Sequence, residues 1–475
     1  MNWMTRIYMF VMTLVSGHVM SVPDPVIKVF KGECGVLVYG LGYVGLALTA
    51  AYLRKGLRVY GVDKNSHKVN ALTSRSFKFV EKNVEEAVYR GLEEGMLRVT
   101  TEGLEFSDKA CVKVITVPIH LDWLTKEVDY TSLIEVGESI GKGLRENDLV
   151  ILESSAPPGT TEEVLKPVLE RVSGLLAGED FYLAYSPERI YVGHSLEDIE
   201  VNYPKIVSGI NQESTELAAK FYSRISSKGV IKLSSIRAAE FSKLAEGVYR
   251  DVNIALSNEL AMLSEIIGVN YYEVREAANS QPYCHLHLPG PGVGGPCIPV
   301  YPYFVVNVST RKGFIPRLLL LARNINEFMP YETFKRFEKF MRSHGLRISD
   351  SRIGVLGVAF RGDTDDTRLS PSHDFIALLK ARGCKDIIAH DPLVTGDEIL
   401  EQLGVPLTQD LRVALEGRDA VVVLTKHTAY SKLTTEDIMR FSKNPNILIY
   451  DSVNVVINNN KYTKIEKLGM PALIQ

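Results

Sequence analysis

Residues Gly35–Asp63, GVLVYGLGYVGLALTAAYLRKGLRVYGVD, pass from an apolar run through a glycine turn into a helical pattern and out into a second apolar run. The first run carries no charge, as expected of a strand buried on both faces. Strand, helix and strand in this order make a βαβ unit. Gly40, Gly42 and Gly45 fall at the turn, where missing side chains let the backbone approach a pyrophosphate and the helix N-terminus offers amide donors. Asp63 closes the second strand, where a carboxylate accepts both hydroxyls of an adenosine ribose and repels a 2′-phosphate. NAD is therefore favoured over NADP, a preference that Lys64 and Lys68 soften.

Working outward, VKVITVP, DLVILESS and FYLAYSP read as further buried strands separated by amphipathic segments such as TEEVLKPVLERVSGLL. The alternation predicts a parallel, doubly wound sheet. Near Ser235 the texture becomes one long helical pattern, SIRAAEFSKLAEGVYRDVNIALSNELAMLSEIIG, expected to contribute to a dimer face. A second helical tract, Pro316 to His344, leads to SRIGVLGVAF, CKDIIAHDP and DAVVVLT, which repeat the strand logic. The expected fold class is α/β: two Rossmann-like doubly wound parallel-sheet domains joined by a central long-helix domain. The expected boundaries are an N-terminal extension over 1–31, a NAD-binding domain over 32–232, a helical dimerisation domain over 233–330 and a second nucleotide-fold domain over 331–475.

The chain has 475 residues, enough for several cores, and a formal net charge of −3 from 54 basic and 57 acidic residues. That balance gives no reason to bind nucleic acid or an anionic membrane. The five cysteines, Cys34, Cys111, Cys284, Cys297 and Cys384, are scattered, so neither a disulfide framework nor a zinc site is indicated and no metal is expected. A reducing cytoplasm is the expected location. The N-terminus MNWMTRIYMFVMTLVSGHVMS mimics a secretory signal, but its apolar run is too short to span a bilayer, and it is read as a packed extension or an early start codon.

Cys297 ends the run Pro289–Cys297, PGPGVGGPC. A thiol on such an open loop suits a nucleophile if a nearby group favours the thiolate. Lys243 on the long helix and Glu188 in YSPERI would complete a thiol, cation and carboxylate set.

The ordered segments GLGYVG, VDKN, ESSAPPGTT, SPERIYVG, AAEFSKLAEGVYRDVNIALSNEL, PGPGVGGPC and GVAFRGDTDDTRLSP resemble the UDP-glucose/GDP-mannose dehydrogenase family, closest to its N-acetylhexosamine branch. The resemblance runs from about residue 33 onward. It implies a NAD-dependent nucleotide-sugar 6-dehydrogenase of two oxidations, with Cys297 carrying a thiohemiacetal and then a thioester. By the same carry-over Lys243 stabilises the oxyanion, Glu188 serves the hydrolytic water, and Ser155 replaces a usual Thr near that water and the cofactor. Tyr43, Val44 and Lys68 join the glycines and Asp63 at the cofactor. Arg189, Ile190, Lys243, Gly247, Arg250, Tyr283 and Gly294 fall at sugar-contacting positions, and Phe360, Arg361 and Arg368 at positions holding the nucleotide. A homodimer or larger homo-oligomer is implied.

The chain departs from the family within the chemistry. Gly247 stands where an Asn holds the oxyanion, Tyr301 for an Asp, Tyr283 for an Arg and Pro296 for a His. If the Asn donor is simply missing, Gly247→Asn raises turnover. Two readings follow: a pocket rebuilt around Tyr283, Tyr301, His285 or His287 for another nucleotide sugar, or a weakened or non-catalytic paralogue that binds NAD and a nucleotide sugar.

Overall fold

The computed structural model describes residues 24–460 and 464–471, so the signal-like stretch through residue 23 lies outside the described residues. Contacts divide the chain into two compact units that meet in sequence at Leu244 and Ala245.

The first unit is built on an eight-stranded sheet. Its strands are β1 (Gly35–Tyr39), β2 (Val59–Val62), β3 (Leu97–Thr100), β4 (Ala110–Ile115), β7 (Leu149–Leu152), β8 (Tyr182–Tyr185), β9 (Lys205–Gly209) and β10 (Val230–Lys232), in the order β10-β9-β8-β7-β4-β1-β2-β3. A small antiparallel pair, β5 (His120–Leu121) and β6 (Val128–Asp129), lies outside it. From β3 to β8 every pairing is parallel, and the uncharged runs of β1, β7 and β8 are buried throughout because both sheet faces are covered. At β8 the direction reverses, since β9 pairs antiparallel with it. Helix α1 (Pro25–Phe30) places Val26 and Val29 in the same core, so residues 24–31 of the expected extension are part of this unit. Helix α2 (Tyr43–Arg54) follows the glycine turn, and α3 (Gln212–Ser223) brings Phe221 and Tyr222 into that core.

Cys34 and Cys111 form a disulfide, correcting the expectation of free thiols. They are 77 residues apart, a distance at which no sequence pattern pairs them. The parallel pairing of β1 with β4 matches Gly35 with Ala110 and thereby sets their neighbours side by side.

The second unit carries a six-stranded sheet, all parallel, of β11 (Arg352–Leu356), β12 (Asp386–His390), β13 (Leu407–Thr408), β14 (Ala420–Val423), β15 (Leu448–Asp451) and β16 (Lys464–Lys467) in the order β13-β12-β11-β14-β15-β16. Both sheets turn about their first strand, the topology whose carboxyl edge takes nucleotides. The long helix α4 (Ile236–Ile267) spans the division between units; α5 (Tyr301–Arg311) and α6 (Arg317–Ser343) follow. Glu240 ties the first turns of α4 to the first unit, accepting from the Gly159 and Thr161 amides at 2.5 and 2.8 Å. In α6, Phe334, Phe337 and Phe340 pack into the core of the second sheet. Each buried phenylalanine contributes about 1.5–3 kcal/mol.

Candidate active site

At the end of β1 the backbone turns through Gly40, whose φ of +94° favours glycine. A Cβ at Gly45 would lie 1.8 Å from the Gly40 carbonyl oxygen, so helix and strand touch only because Gly45 lacks one. A Cβ at Gly42 would meet nothing within 4 Å. The turn is therefore closed where it must pack and open at the helix start, the shape that admits a pyrophosphate. Asp63 accepts from the Leu41 amide at 2.9 Å and the Asn65 amide at 3.0 Å. Burial alone would raise its pKa, but Lys68 at 2.6 Å and these amides hold it below the usual range. Lys68 is thus committed to Asp63, and Lys64 pairs with Glu135 at 3.3 Å. Val44 packs at the edge of the core, while the Tyr43 hydroxyl donates to Glu81. The Glu81 carboxylate also accepts from the Gly193 amide at 3.0 Å and from the Ser195 hydroxyl at 2.9 Å, tying the cofactor turn to the loop that carries Glu188. Sequence reasoning missed Glu81.

Glu188 follows β8 and is 8% exposed. Its carboxylate is held by Lys205 at 2.5 Å, and Lys205 reaches Glu153 at 2.6 Å on its other side. Burial pushes the Glu153 pKa up to about 7, Lys205 pulling against it and the Glu188 charge adding to it. Lys205 and Glu153 were also missed; their only signal was a charge at each end of an apolar run, in YPKIVSG and VILESS. Ser155 is half-buried two residues after Glu153. The Arg189 guanidinium donates to the Pro204 carbonyl and lies 5.6 Å from the Tyr203 ring, and Ile190 packs against the first core. Lys243, half-buried, is on the α4 turn that closes this unit.

In the second unit the glycine-rich loop is seated on the GVAFRGDTDDTR segment. A Cβ at Gly294 would lie 2.5 Å from the Leu369 carbonyl and 2.8 Å from the Phe360 Cβ; one at Gly295 would strike the Phe360 ring at 2.6 Å. The Gly295 amide donates to the Arg368 carbonyl at 2.9 Å. The glycines permit this close seat, and the loop then delivers Cys297 exposed. The Arg368 guanidinium pairs with Asp366, with Nε to Oδ1 at 2.9 Å, and Arg361 lies 6.0 Å from the Phe360 ring. Within the charge run Thr364 is buried and a Cβ at Gly362 would meet the Lys426 carbonyl at 1.8 Å, while Asp363, Asp365 and Arg368 are exposed. The structure thus brings together Gly294, Phe360 and Arg368. Arg250 is exposed on α4, and Tyr283 is 96% exposed.

Gly247 and Tyr301 prove to be one feature. A Cβ at 247 would lie 2.3 Å from Tyr301 Cδ2, and the Tyr301 ring is 6% exposed. The expected vacancy is filled, which reverses the expectation for Gly247→Asn. That variant is now expected to lose about 1–3 kcal/mol through overpacking and to turn over more slowly, with Tyr301→Ala in the same chain restoring the melting temperature. A faster and equally stable single variant would reinstate the missing donor.

Among the described residues no group of His, Cys, Asp and Glu could hold a metal ion, and no helix is long and apolar enough to cross a membrane. Comparison with known proteins gives matches along the whole of this architecture. Residues 34–226 match the NAD binding domain of the UDP-glucose/GDP-mannose dehydrogenase family, 237–328 its central domain and 354–458 its UDP binding domain. A UDP-N-acetyl-D-mannosamine dehydrogenase of Methanocaldococcus jannaschii is 34% identical over 442 residues, 90% of this chain and 95% of that one. A UDP-N-acetyl-D-glucosamine 6-dehydrogenase of Salmonella typhi is 33% identical, covering 88% and 96%. The solved UDP-D-ManNAc dehydrogenase of Pyrococcus horikoshii superposes with a TM-score of 0.83 at 31% identity, covering 91% and 99%.

Proposed function

This chain belongs to the UDP-glucose/GDP-mannose dehydrogenase family, a NAD-dependent UDP-sugar oxidoreductase, and from that premise we propose that it oxidises C6 of a UDP-N-acetylhexosamine twice, to the uronate. UDP-N-acetylmannosamine is the first candidate, because that sugar is named for the relative at 34% identity. The observation that carries the reading is the exposed Cys297 thiol on a loop seated against Phe360 and Arg368, the residues expected at the nucleotide.

The Gly40–Gly45 turn and Asp63 would hold NAD, which when bound would supply the hydride acceptor for both oxidations. Lys68 pairs with Asp63 beside that position. The Cys297 thiolate adds to the C6 aldehyde and keeps it from escaping, first as a thiohemiacetal and, after the second oxidation, as a thioester. Lys243 takes the hydroxyl proton and steadies the oxyanion. Glu188 accepts a proton from the water that attacks the thioester carbon, the carbon–sulfur bond breaks, and the thiolate returns. Ser155 stands beside that water. Arg189, Ile190 and Arg250 face the sugar, and Phe360, Arg361 and Arg368 hold the nucleotide. The buried Tyr301 against Gly247 supports a rebuilt pocket that remains active.

The row Tyr249, Leu256 and Leu263, each 45–51% exposed at seven-residue spacing on α4, supports a homodimer in which a second copy covers it. A cytoplasmic location loses the argument from free cysteines, given the Cys34–Cys111 bond, and rests on the two nucleotide substrates.

The test is stoichiometry. With NAD and UDP-N-acetylmannosamine the protein should release two NADH for each UDP-uronate, and faster than with UDP-glucose or GDP-mannose. One NADH per sugar, with free aldehyde, would overturn the thioester route.

A further inference from the structure

Behind Glu188 lies a cation that neither oxidation uses. Because β9 runs antiparallel to β8, its first residue, Lys205, is set opposite the segment just past β8. There the Lys205 ammonium bridges Glu188 Oε2 at 2.5 Å and Glu153 Oε2 at 2.6 Å, and all three residues are less than a tenth exposed. Every neighbouring element adds a polar group. Tyr222 of α3 donates to Glu153 Oε1, with Tyr52 of α2 at 3.4 Å, and Tyr185 of β8 faces the same carboxylate. On the Glu188 side stand its neighbour's amide, Arg189 N–H at 2.7 Å, and Tyr203.

One buried ammonium between two carboxylates cannot satisfy both fully. Resting on the reading of Glu188 as the group that serves the hydrolytic water, we propose that Lys205 is the positioning residue for that step and that Glu153, by gaining or losing its proton, sets how much of the Lys205 charge Glu188 feels. With Glu153 protonated the Lys205 ammonium pairs with Glu188 alone and holds that carboxylate fast. With Glu153 ionised the ammonium is shared between the two carboxylates, and Glu188, still positioned, is free to turn an oxygen to the water. Burial pushes the Glu153 pKa up to about 7, so thioester hydrolysis is expected to quicken as pH rises through neutrality. Hydride transfer, in which the triad takes no part, does not follow it.

The experiment compares the first-turnover burst of NADH with the steady-state rate, using UDP-N-acetylmannosamine and NAD, for wild type, Lys205→Met, Lys205→Arg and Glu153→Gln. Lys205→Met should keep a burst of two NADH per site at the wild-type rate while its steady state falls on the order of a hundredfold. Lys205→Arg should recover to within about tenfold of wild type, since an arginine still bridges two carboxylates. Glu153→Gln should lose the inflection of the steady-state rate near neutral pH. Lys205→Met strands two carboxylates together, so Lys205→Met with Glu153→Gln, checked by melting, must show the same split. A burst slowed in parallel with the steady state, an inflection that persists in Glu153→Gln, or a double variant without the split would overturn the inference alone. A wild type that makes no NADH from the sugar nucleotide would overturn the functional reading and this inference with it.

Discussion

Cys297→Ser should reduce uronate formation on the order of a thousandfold or more while leaving NAD affinity unchanged. The alcohol is a far weaker nucleophile than a thiolate at neutral pH, and an oxygen ester is a poorer acyl carrier than a thioester. The substitution is close to isosteric at an exposed position, so it disturbs neither the Gly294 and Gly295 seat on Phe360 nor the hydrogen bonds from the Val300 and Tyr301 amides to the residue 297 carbonyl. The dinucleotide turn lies in the other compact unit. Loss of activity with intact NAD binding would therefore isolate the sulfur chemistry. The check is uronate released per enzyme by chromatography beside NAD titration by fluorescence. A Ser variant within tenfold of wild type would remove the covalent step from the mechanism.

The parts that could be read beforehand are those with local signals. The Gly40–Asp63 unit, the long α4 and the repeat of strands after residue 350 each announce themselves through periodicity and glycine placement within a few dozen residues. Cys34 and Cys111 do not, because only the register of β1 on β4 makes them neighbours. Glu153 and Lys205 were passed over for a related reason, since a single charge beside an apolar strand looks solvated until the chain folds another charge against it, and Glu81 because its partners, the Tyr43 and Ser195 hydroxyls, lie far off in sequence. Gly247 and Tyr301 were each legible as departures from the family, yet their meaning is a shared volume that neither position shows alone. Tyr283 was grouped with the pocket by motif position, and at 96% exposure it has no such neighbour among the described residues.

Asp251→Leu should cost about 3–5 kcal/mol and lower the melting transition by roughly 10 °C, since it removes one partner of a buried ion pair. Asp251 on α4 is fully buried, and Arg323 of α6, 2% exposed, reaches its Oδ1 at 2.6 Å. Asn326 donates to the Asp251 carbonyl and to Oδ1, each at 2.9 Å. Without Asp251 the guanidinium keeps Glu327 at 3.3 Å and the Tyr303 hydroxyl. Among the described residues Asp251 Oδ2 and Arg323 Nε already lack hydrogen-bond partners, so the network is not fully satisfied even when intact. Asp251→Leu with Arg323→Met should therefore recover most of the lost stability, because an apolar pair carries no stranded charge. Stability and turnover should then part company. Asn258 donates to Asn326 at 3.1 Å and accepts from the Gly290 amide at 2.9 Å, and Tyr303 of α5 donates to Glu327 at 2.9 Å, so the network grips the Cys297 loop on both sides. The double variant should melt near wild type yet turn over several-fold more slowly, at unchanged KM for NAD. Full activity in the double variant would show that the loop owes its position to the Phe360 seat alone.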